Sequence, residues 1–319
     1  MKIVVLGATG FLGSWAVRAL ASAGNEVIGM HRPSSDLWRL RGVQGIRMVE
    51  VPSEEWGESI AREKPDVIVA LDWNGVASTF RDDEQAQFEN VRRQGEVIEA
   101  AIRCGAGRFV GLGSQAEYGM VHGRVAEVAP SDPITAYGRA KVEALRSMRH
   151  RLEQAGLEWV WARIFSVYGP LEGDGWLLPS IADAAAQGIP IALTEARQPW
   201  SYLYAADAGT ALTALASHPS ASGIYNVGNP QAPALRESIE IFAHALGASS
   251  LLRFGARPPS GPVIRLEPDV TRLQSLGWTP GVSAEDGLAR TAEWFSGVEV
   301  RDPFDPERPL PGRRHEQMS

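Results

Sequence analysis

Cysteine is nearly absent from this chain: Cys104 is the only one in 319 residues. One thiol builds neither an intrachain disulfide framework nor a cysteine metal cluster, which excludes the small stapled folds and zinc ribbons. Cys104 falls in an apolar helical stretch ahead of a glycine turn and reads as a small core residue, not a nucleophile, because no histidine is paired with it. The six histidines are scattered without metal-type spacing, so no metal site is expected. No apolar run approaches the roughly 18 residues of a membrane helix. A secretory signal is not expected either, since the apolar residues 3–6 run straight into a glycine turn. Positive charge is not in excess. A net charge of −7 argues against a general nucleic-acid binder, while leaving room for a local basic pocket that takes a phosphorylated ligand. A cytoplasmic protein is therefore expected. Its length is long for one domain and comfortable for two, with apolar residues enough for a sizeable core.

Through the first half, short β-branched runs alternate with longer helical patterns. Strands are predicted at 2–6, 26–30, 46–51, 66–70, 108–112 and 158–164, and helices at 11–23, 53–63 and about 82–103. Such alternation builds βαβ units, and strands that are apolar along their length belong to a parallel sheet covered on both faces. The expected fold class is α/β, a doubly wound parallel sheet with a smaller mixed α+β lobe. Past residue 168 the character changes. Gly169-Pro170 and the glycines at 173 and 175 punctuate the chain, and short strands (189–193, 201–204, 224–227) mix with helices (207–217, 238–246, 284–295). The expected division gives residues 1–168 and 201–230 to the large unit, and residues 169–200 and 231–298 to the lobe. Residues 299–319, rich in proline and charge, are expected as an extended or disordered tail.

The first strand runs into Gly7-Ala8-Thr9-Gly10-Phe11-Leu12-Gly13. A GxxGxxG pattern alone is weak, but a strand, glycine turn and helix at the start of such a sheet is what a dinucleotide site requires. Gly7 permits the tight turn, Gly10 lets the backbone approach a pyrophosphate, and Gly13 lets the helix pack against the strand. The free N–H groups at the helix start face phosphate charge. Gly7, Thr9, Gly10, Phe11, Leu12 and Gly13, with Leu71 after the fourth strand, are the candidate cofactor contacts. The second strand runs on to Arg32, where an NAD site usually carries an acid for the ribose 2′-hydroxyl. An acid repels a 2′-phosphate and an arginine attracts it, so the cofactor expected is NADP.

Tyr137-Gly138-Arg139-Ala140-Lys141 places a phenol and an ammonium four residues apart, on one helical face. A phenol has an ordinary pKa of about 10, and a nearby ammonium favours the phenolate. Tyr137 is then able to give a proton to a carbonyl oxygen or take one from an alcohol. Thr135 is placed to cap this helix. Ser114, at the end of the fifth strand, lies where ligands bind in such sheets and is read as a second hydrogen-bond partner for that oxygen. Asn90, in the preceding long helix, is read as holding a water near Lys141.

Together these motifs resemble the extended short-chain dehydrogenase/reductases, the NAD-dependent epimerase/dehydratase family. The resemblance continues through Arg163-Ile164-Phe165-Ser166-Val167-Tyr168-Gly169-Pro170, Gln198-Pro199-Trp200-Ser201-Tyr202-Leu203-Tyr204 with Asp207, Gly223-Ile224-Tyr225-Asn226-Val227-Gly228 and Leu276-Gly277-Trp278-Thr279-Pro280. It spans residues 1 to about 297. Within the family, residues 71–77 (LDWNGVA) and 113–119 (GSQAEYG) look most like the NDP-4-keto-6-deoxyhexose reductases. The resemblance implies a catalytic set of Ser114, Tyr137, Lys141 and Asn90, with Tyr137 and Lys141 also touching the cofactor. It implies a cleft lined by Asp72, Trp73 and Asn74. It puts a nucleotide-sugar near Trp73, Gln115, Tyr118, Leu178, Pro179, Arg197, Trp200 and Arg257. It also implies a homodimer through the helices at about 86–104 and 135–155, with Ala140, Ala144, Met148 and Leu152 as the apolar positions.

Departures narrow the chemistry. Ser166 stands where the family often has an asparagine that contacts a diphosphate, and Ser201 where an aspartate is common. Gln115-Ala116 stands where sugar 4,6-dehydratases carry the Asp-Glu pair that performs elimination, which speaks against a dehydratase. The expected activity is NADPH-dependent reduction of the C4 ketone of a nucleotide-linked 4-keto-6-deoxyhexose. The alternatives are an NDP-sugar 4-epimerase that retains NAD, a reductase of a non-sugar ketone, and a non-enzymatic NADP-sensing regulator. Such regulators usually lose the tyrosine or the lysine, and both are present here.

Overall fold

The computed structural model describes residues 1–52, 55–76, 80–259 and 265–313. Ser53, where the second helix is expected to begin, and Ala77, which ends the 71–77 segment, lie outside the described residues. In chain order the elements are β1 (Lys2–Leu6), α1 (Phe11–Ser22), β2 (Glu26–His31), β3 (Ile46–Glu50), α2 (Trp56–Glu63), β4 (Val67–Ala70), α3 (Glu84–Cys104), β5 (Arg108–Ser114), β6 (Gly123–Val125), α4 (Ala136–Ala155), β7 (Glu158–Ile164) and β8 (Ser166–Tyr168). Then follow α5 (Leu177–Ala186), β9 (Ile191–Ala192), β10 (Tyr202–Tyr204), α6 (Ala205–Ser217), β11 (Gly223–Val227), α7 (Leu235–Ala245), β12 (Leu252–Arg253), β13 (Leu266–Pro268), α8 (Thr271–Gln274), α9 (Ala284–Phe295), β14 (Arg301–Asp302) and β15 (Asp305–Pro309).

Seven strands form one parallel sheet in the order β11-β7-β5-β4-β1-β2-β3. The order reverses at β1, and the crevice above β1 and β4 is where a doubly wound sheet takes its ligand. One face of the sheet is covered by α1 and α6 through Val17, Leu20, Leu212 and Leu215. The other is covered by α2, α3 and α4 through Ile60, Val97, Ala101 and Met148. Burial on both faces explains why residues 3–6 of β1 and all of β4 read as continuous apolar runs. A further apolar cluster gathers Leu178, Ile181, Phe242, Leu288 and Trp294 from α5, α7 and α9, with Trp15 of α1 and Tyr204 of β10 packed into it.

Local signals set the ends of the helices that matter most. Asp83 caps α3 by accepting from the Ala86 amide at 3.0 Å, and Thr135 caps α4 by accepting from the Gly138 amide at 3.1 Å. Gly105 and Gly156 close these two helices in the left-handed conformation. The apolar positions expected at a dimer contact are largely consumed inside the protomer: Ala144, Met148 and Leu152 are buried against the sheet. Cys104 is half-buried, and its thiol donates to the Ala101 carbonyl at 3.4 Å, as suits a packing residue. Among the described residues no helix is long and apolar enough to cross a membrane, and no cluster of three or more potential metal ligands occurs.

The proline-rich tail differs from expectation. Residues 301–309 form the antiparallel hairpin β14–β15, Leu310 is buried, and the Trp294 indole donates to the Pro311 carbonyl at 2.8 Å. Proline and charge hid this docking because its anchor is a long-range ion pair. Arg18 Nε on α1 donates to Asp302 at 2.7 Å with both side chains buried. The same guanidinium also donates to the carbonyls of Ser14 (3.0 Å) and Arg39 (2.6 Å). Removing one partner of a buried pair strands the other charge. Asp302→Ala is expected to lower stability by about 3 kcal/mol, read as a drop in the urea midpoint; an unchanged midpoint contradicts this anchoring role.

Candidate active site

The glycine turn is built as the sequence requires. Gly7 has φ +72°, and a Cβ there would stand 2.8 Å from the backbone of Leu71 and Asp72. Leu71 thus closes directly on the turn, its amide bonded to the Leu6 carbonyl at 3.1 Å. A Cβ on Gly13 would lie 2.0 Å from the Gly7 carbonyl oxygen, so only glycine lets α1 start this close to β1. Gly10 is exposed and heads α1 with no side-chain cap and no acid in the first turn. Amide groups at that helix start are therefore open to a phosphate group, and Thr9, Phe11 and Leu12 flank them. This cradle fits the pyrophosphate of a dinucleotide. Arg32 is exposed just past β2, and its charge is among those that favour the ionised Asp72 carboxylate.

Tyr137 and Lys141 occupy the first turns of α4, beside the C-terminal end of β5, and both are buried. Lys141 Nζ donates to the Leu112 carbonyl at 2.7 Å and lies 3.4 Å from the centroid of the Trp73 ring. Trp73 in turn meets Tyr137 edge-on at 6.2 Å. Burial pulls the Lys141 ammonium down to about 7, against the attraction of Glu117 and Asp72. Asp72, half-buried, is pushed up to about 6 by desolvation, opposed by Arg93, its own backbone amide, Lys141 and Arg32.

Burial also raises the Tyr137 phenol, and it outweighs every neighbour. What holds the phenol down is a hydrogen bond with Ser114 and the charge of Arg81, while Glu117 opposes them. The sequence pointed to the ammonium as the group that lowers Tyr137. Lys141 instead sits 5.7 Å from the phenol ring centroid, occupied by a carbonyl and an indole face. Ser114 combines two tasks: it partners Tyr137, and its hydroxyl accepts from the Ala116 amide at 3.2 Å to cap the short turn at Gln115–Glu117.

Asn90 holds the loop after β4. Its Oδ1 accepts from the Asn74 amide and its Nδ2 donates to the Asn74 carbonyl, both at 2.9 Å. What the structure gives Asn90 is this hold on the Asn74 backbone; the contact says nothing of the water expected near Lys141. Gln87, one turn earlier on α3, works alongside: its Oε1 accepts from the Trp73 indole at 2.8 Å and its Nε2 donates to Gly75 and Phe80 carbonyls. Loop and indole are thereby fixed from α3.

The expected substrate contacts divide. Trp73 packs against Lys141 and Tyr137, and Gln115 reaches the Ser166 hydroxyl at 3.5 Å. Tyr118 does not face a cleft: it is fully buried, its hydroxyl donates to Asn226 at 2.7 Å, and it packs on Phe165 and Arg163. Leu178 is likewise core, buried with Ile181 and Phe242, and Pro179 beside it is buried in the first turn of α5. Arg197 is exposed and pairs with Glu195 at 3.4 Å, and Arg257 is exposed. The buried Trp200 indole nitrogen has no partner among the described residues. Ser201 exchanges hydrogen bonds with the Asn229 backbone at 2.9 Å.

One central residue went unassigned. Glu117 is fully enclosed and accepts from the Ser114 amide (2.8 Å), the Trp161 indole (2.9 Å) and Arg163 Nε (2.8 Å). Its signal was visible as a glutamate three residues after Ser114, the spacing of a capping box.

Comparison with known proteins agrees with this geometry. The NAD dependent epimerase/dehydratase family matches residues 3–228. A GDP-L-fucose synthase from Sinorhizobium fredii is 26% identical over 315 residues, covering 92% of this chain and 95% of that protein. A 2'-dehydrokanamycin reductase from Streptomyces kanamyceticus is 25% identical over 257 residues, covering 77% and 67%. The solved UDP-glucose 4-epimerase of Thermus thermophilus, in complex with NAD, superimposes with a TM-score of 0.82 at 25% identity over 93% of this chain and 99% of that one. A parallel sheet with a glycine cradle at β1 and a serine, tyrosine and lysine gathered at β5 and α4 thus accompanies a match over well over half the sequence: the chain belongs to the NAD dependent epimerase/dehydratase family.

Proposed function

We propose that this protein reduces the C4 ketone of a nucleotide-linked 4-keto-6-deoxyhexose with NADPH. The observation that carries the reading is the joint burial of Tyr137, Ser114 and Lys141 beside the dinucleotide cradle. Bound NADPH supplies hydride to the carbonyl carbon. The carbonyl oxygen then takes a proton from Tyr137, and the Ser114 hydroxyl steadies that oxygen. Burial keeps the phenol protonated, and the Ser114 hydrogen bond and the Arg81 charge offset part of that rise and so favour proton release. Lys141 orients the cofactor from the same helical face, and Asn90 and Gln87 keep the loop that carries Trp73 in place.

Arg32 supports NADP over NAD, because an exposed cation past β2 attracts a 2′-phosphate. Gln115 and Ala116 supply no carboxylate for elimination. The likeness to a GDP-L-fucose synthase and to a 2'-dehydrokanamycin reductase supports the same reading. The second reading, a 4-epimerase with retained NAD, is favoured by the likeness to the epimerase bound to NAD; it predicts tightly held cofactor and no net NADPH use.

The decisive experiment incubates the protein with a panel of NDP-4-keto-6-deoxysugars and NADPH or NADH, with product structures from NMR. NADPH oxidation with at least one ketosugar is expected, and oxidation with none removes the reading. Tyr137→Phe is expected to cut turnover by at least about a hundredfold while NADPH binding, read by fluorescence titration, is kept; near-normal turnover contradicts the assignment. Arg32→Ala is expected to weaken NADPH use about tenfold or more with NADH little changed; equal losses for both overturn the choice of NADP.

A further inference from the structure

Arg81 carries no signal in the sequence, yet it is fastened to the start of the catalytic helix. Its carbonyl accepts from the Tyr137 amide at 2.8 Å, and Asp82 Oδ1 accepts from the Ala136 amide at 3.1 Å. Two of the orphan amides at the α4 start are thus satisfied by one short segment. Arg81 Nε donates to the Val76 carbonyl at 2.9 Å, which holds the stem of the side chain. The guanidinium carbon then lies 5.5 Å from the Tyr137 ring centroid and 6.0 Å from that of Trp176. Tyr137 stands on α4 and Trp176 immediately precedes α5 of the smaller lobe. A half-buried cation therefore bridges the phenol and the first residues of that lobe.

We propose that Arg81 is an electrostatic positioning residue of the active site, whose guanidinium stabilises the negative charge left on Tyr137 when the phenol surrenders its proton. The inference rests on the ketone reduction proposed above. In that step hydride from the reduced dinucleotide bonds to the carbonyl carbon. The π pair of the carbonyl moves to oxygen, that oxygen takes the Tyr137 proton, and a phenolate remains. Other groups near the phenol do not fill this place. From β5 and the turn after it come Ser114, which is neutral, and Glu117, which is held by Arg163 and repels a phenolate. From α4 comes Lys141, bound to Leu112 and Trp73 and drawn on by Glu117 and Asp72. Arg139, also on α4, turns outward to Glu84 at 3.2 Å. A guanidinium keeps its charge at every working pH, whereas the Lys141 ammonium is held only up to about 7.

The test is a phenolate absorbance titration of the cofactor-free protein, taken as wild type minus Tyr137→Phe so that the difference reports Tyr137. Taking away a neighbouring cation raises the pKa of an acid, so the step moves to higher pH. Arg81→Gln, against its own Tyr137→Phe double variant, is expected to shift the step upward by about one pH unit, and Arg81→Lys to restore it. An unmoved step in Arg81→Gln overturns the proposal. If Arg81→Gln fails to fold, Arg81→Met against Arg81→Lys makes the same comparison. In alcohol oxidation, which needs the phenolate, the acid limb of kcat is expected to move upward by the same amount. The titration uses no substrate. A protein that reduces no ketosugar but shows the shift keeps this inference and loses the functional reading.

Discussion

Glu117 is a carboxylate with no access to water, and three donors from three places converge on it: the Ser114 amide, the Trp161 indole and the Arg163 guanidinium. Desolvating that charge is costly unless every lone pair is met, and meeting them fixes geometry. The contact ties the end of β5 to β7 and sets the short turn that Ser114 caps. Arg163 extends the tie to Ser131 at 3.1 Å and to the Glu127 carbonyl at 3.2 Å, on the segment that leads into α4. The serine hydroxyl and the phenol thus reach one another from different elements because a buried ion pair beneath them fixes both approaches.

The cluster of Tyr137, Lys141 and Asp72 is a compromise between burial and charge. Desolvation lifts Tyr137 and Asp72 and lowers Lys141, so each is drawn toward its neutral form. Polar neighbours restore part of the ionisation. Asp72 and Glu117 steady Lys141, and the face of Trp73 gives the ammonium a partner that does not compete for its hydrogen bonds. A phenol surrounded this way is held in its protonated form.

Much of this was legible in the residues. Glycine spacing gave the cradle because backbone clashes permit no other side chain at Gly7 and Gly13. Short apolar runs alternating with helical patterns located the central strands, because a sheet buried on both faces demands apolar runs. Thr135 announced its helix by a capping bond that depends only on nearby residues. Contacts between distant segments were hidden. Tyr118 looked like a cleft residue but is buried by Asn226, more than a hundred positions away. Arg81 gained its place through a backbone bond to Tyr137 that no side-chain pattern encodes. Helix α5 was masked by Pro179, although a first helical turn tolerates the missing N–H. The hairpin β14–β15 depended on Arg18, 284 positions earlier.

That last contact bears on how the molecule is made. Arg18 leaves the ribosome 284 residues ahead of Asp302. Domains generally consolidate from the N-terminus during synthesis. Here the Arg18 guanidinium on α1 meets its counter-charge only once the hairpin residues are made. A nascent chain therefore stays without this closure until Asp302 has emerged.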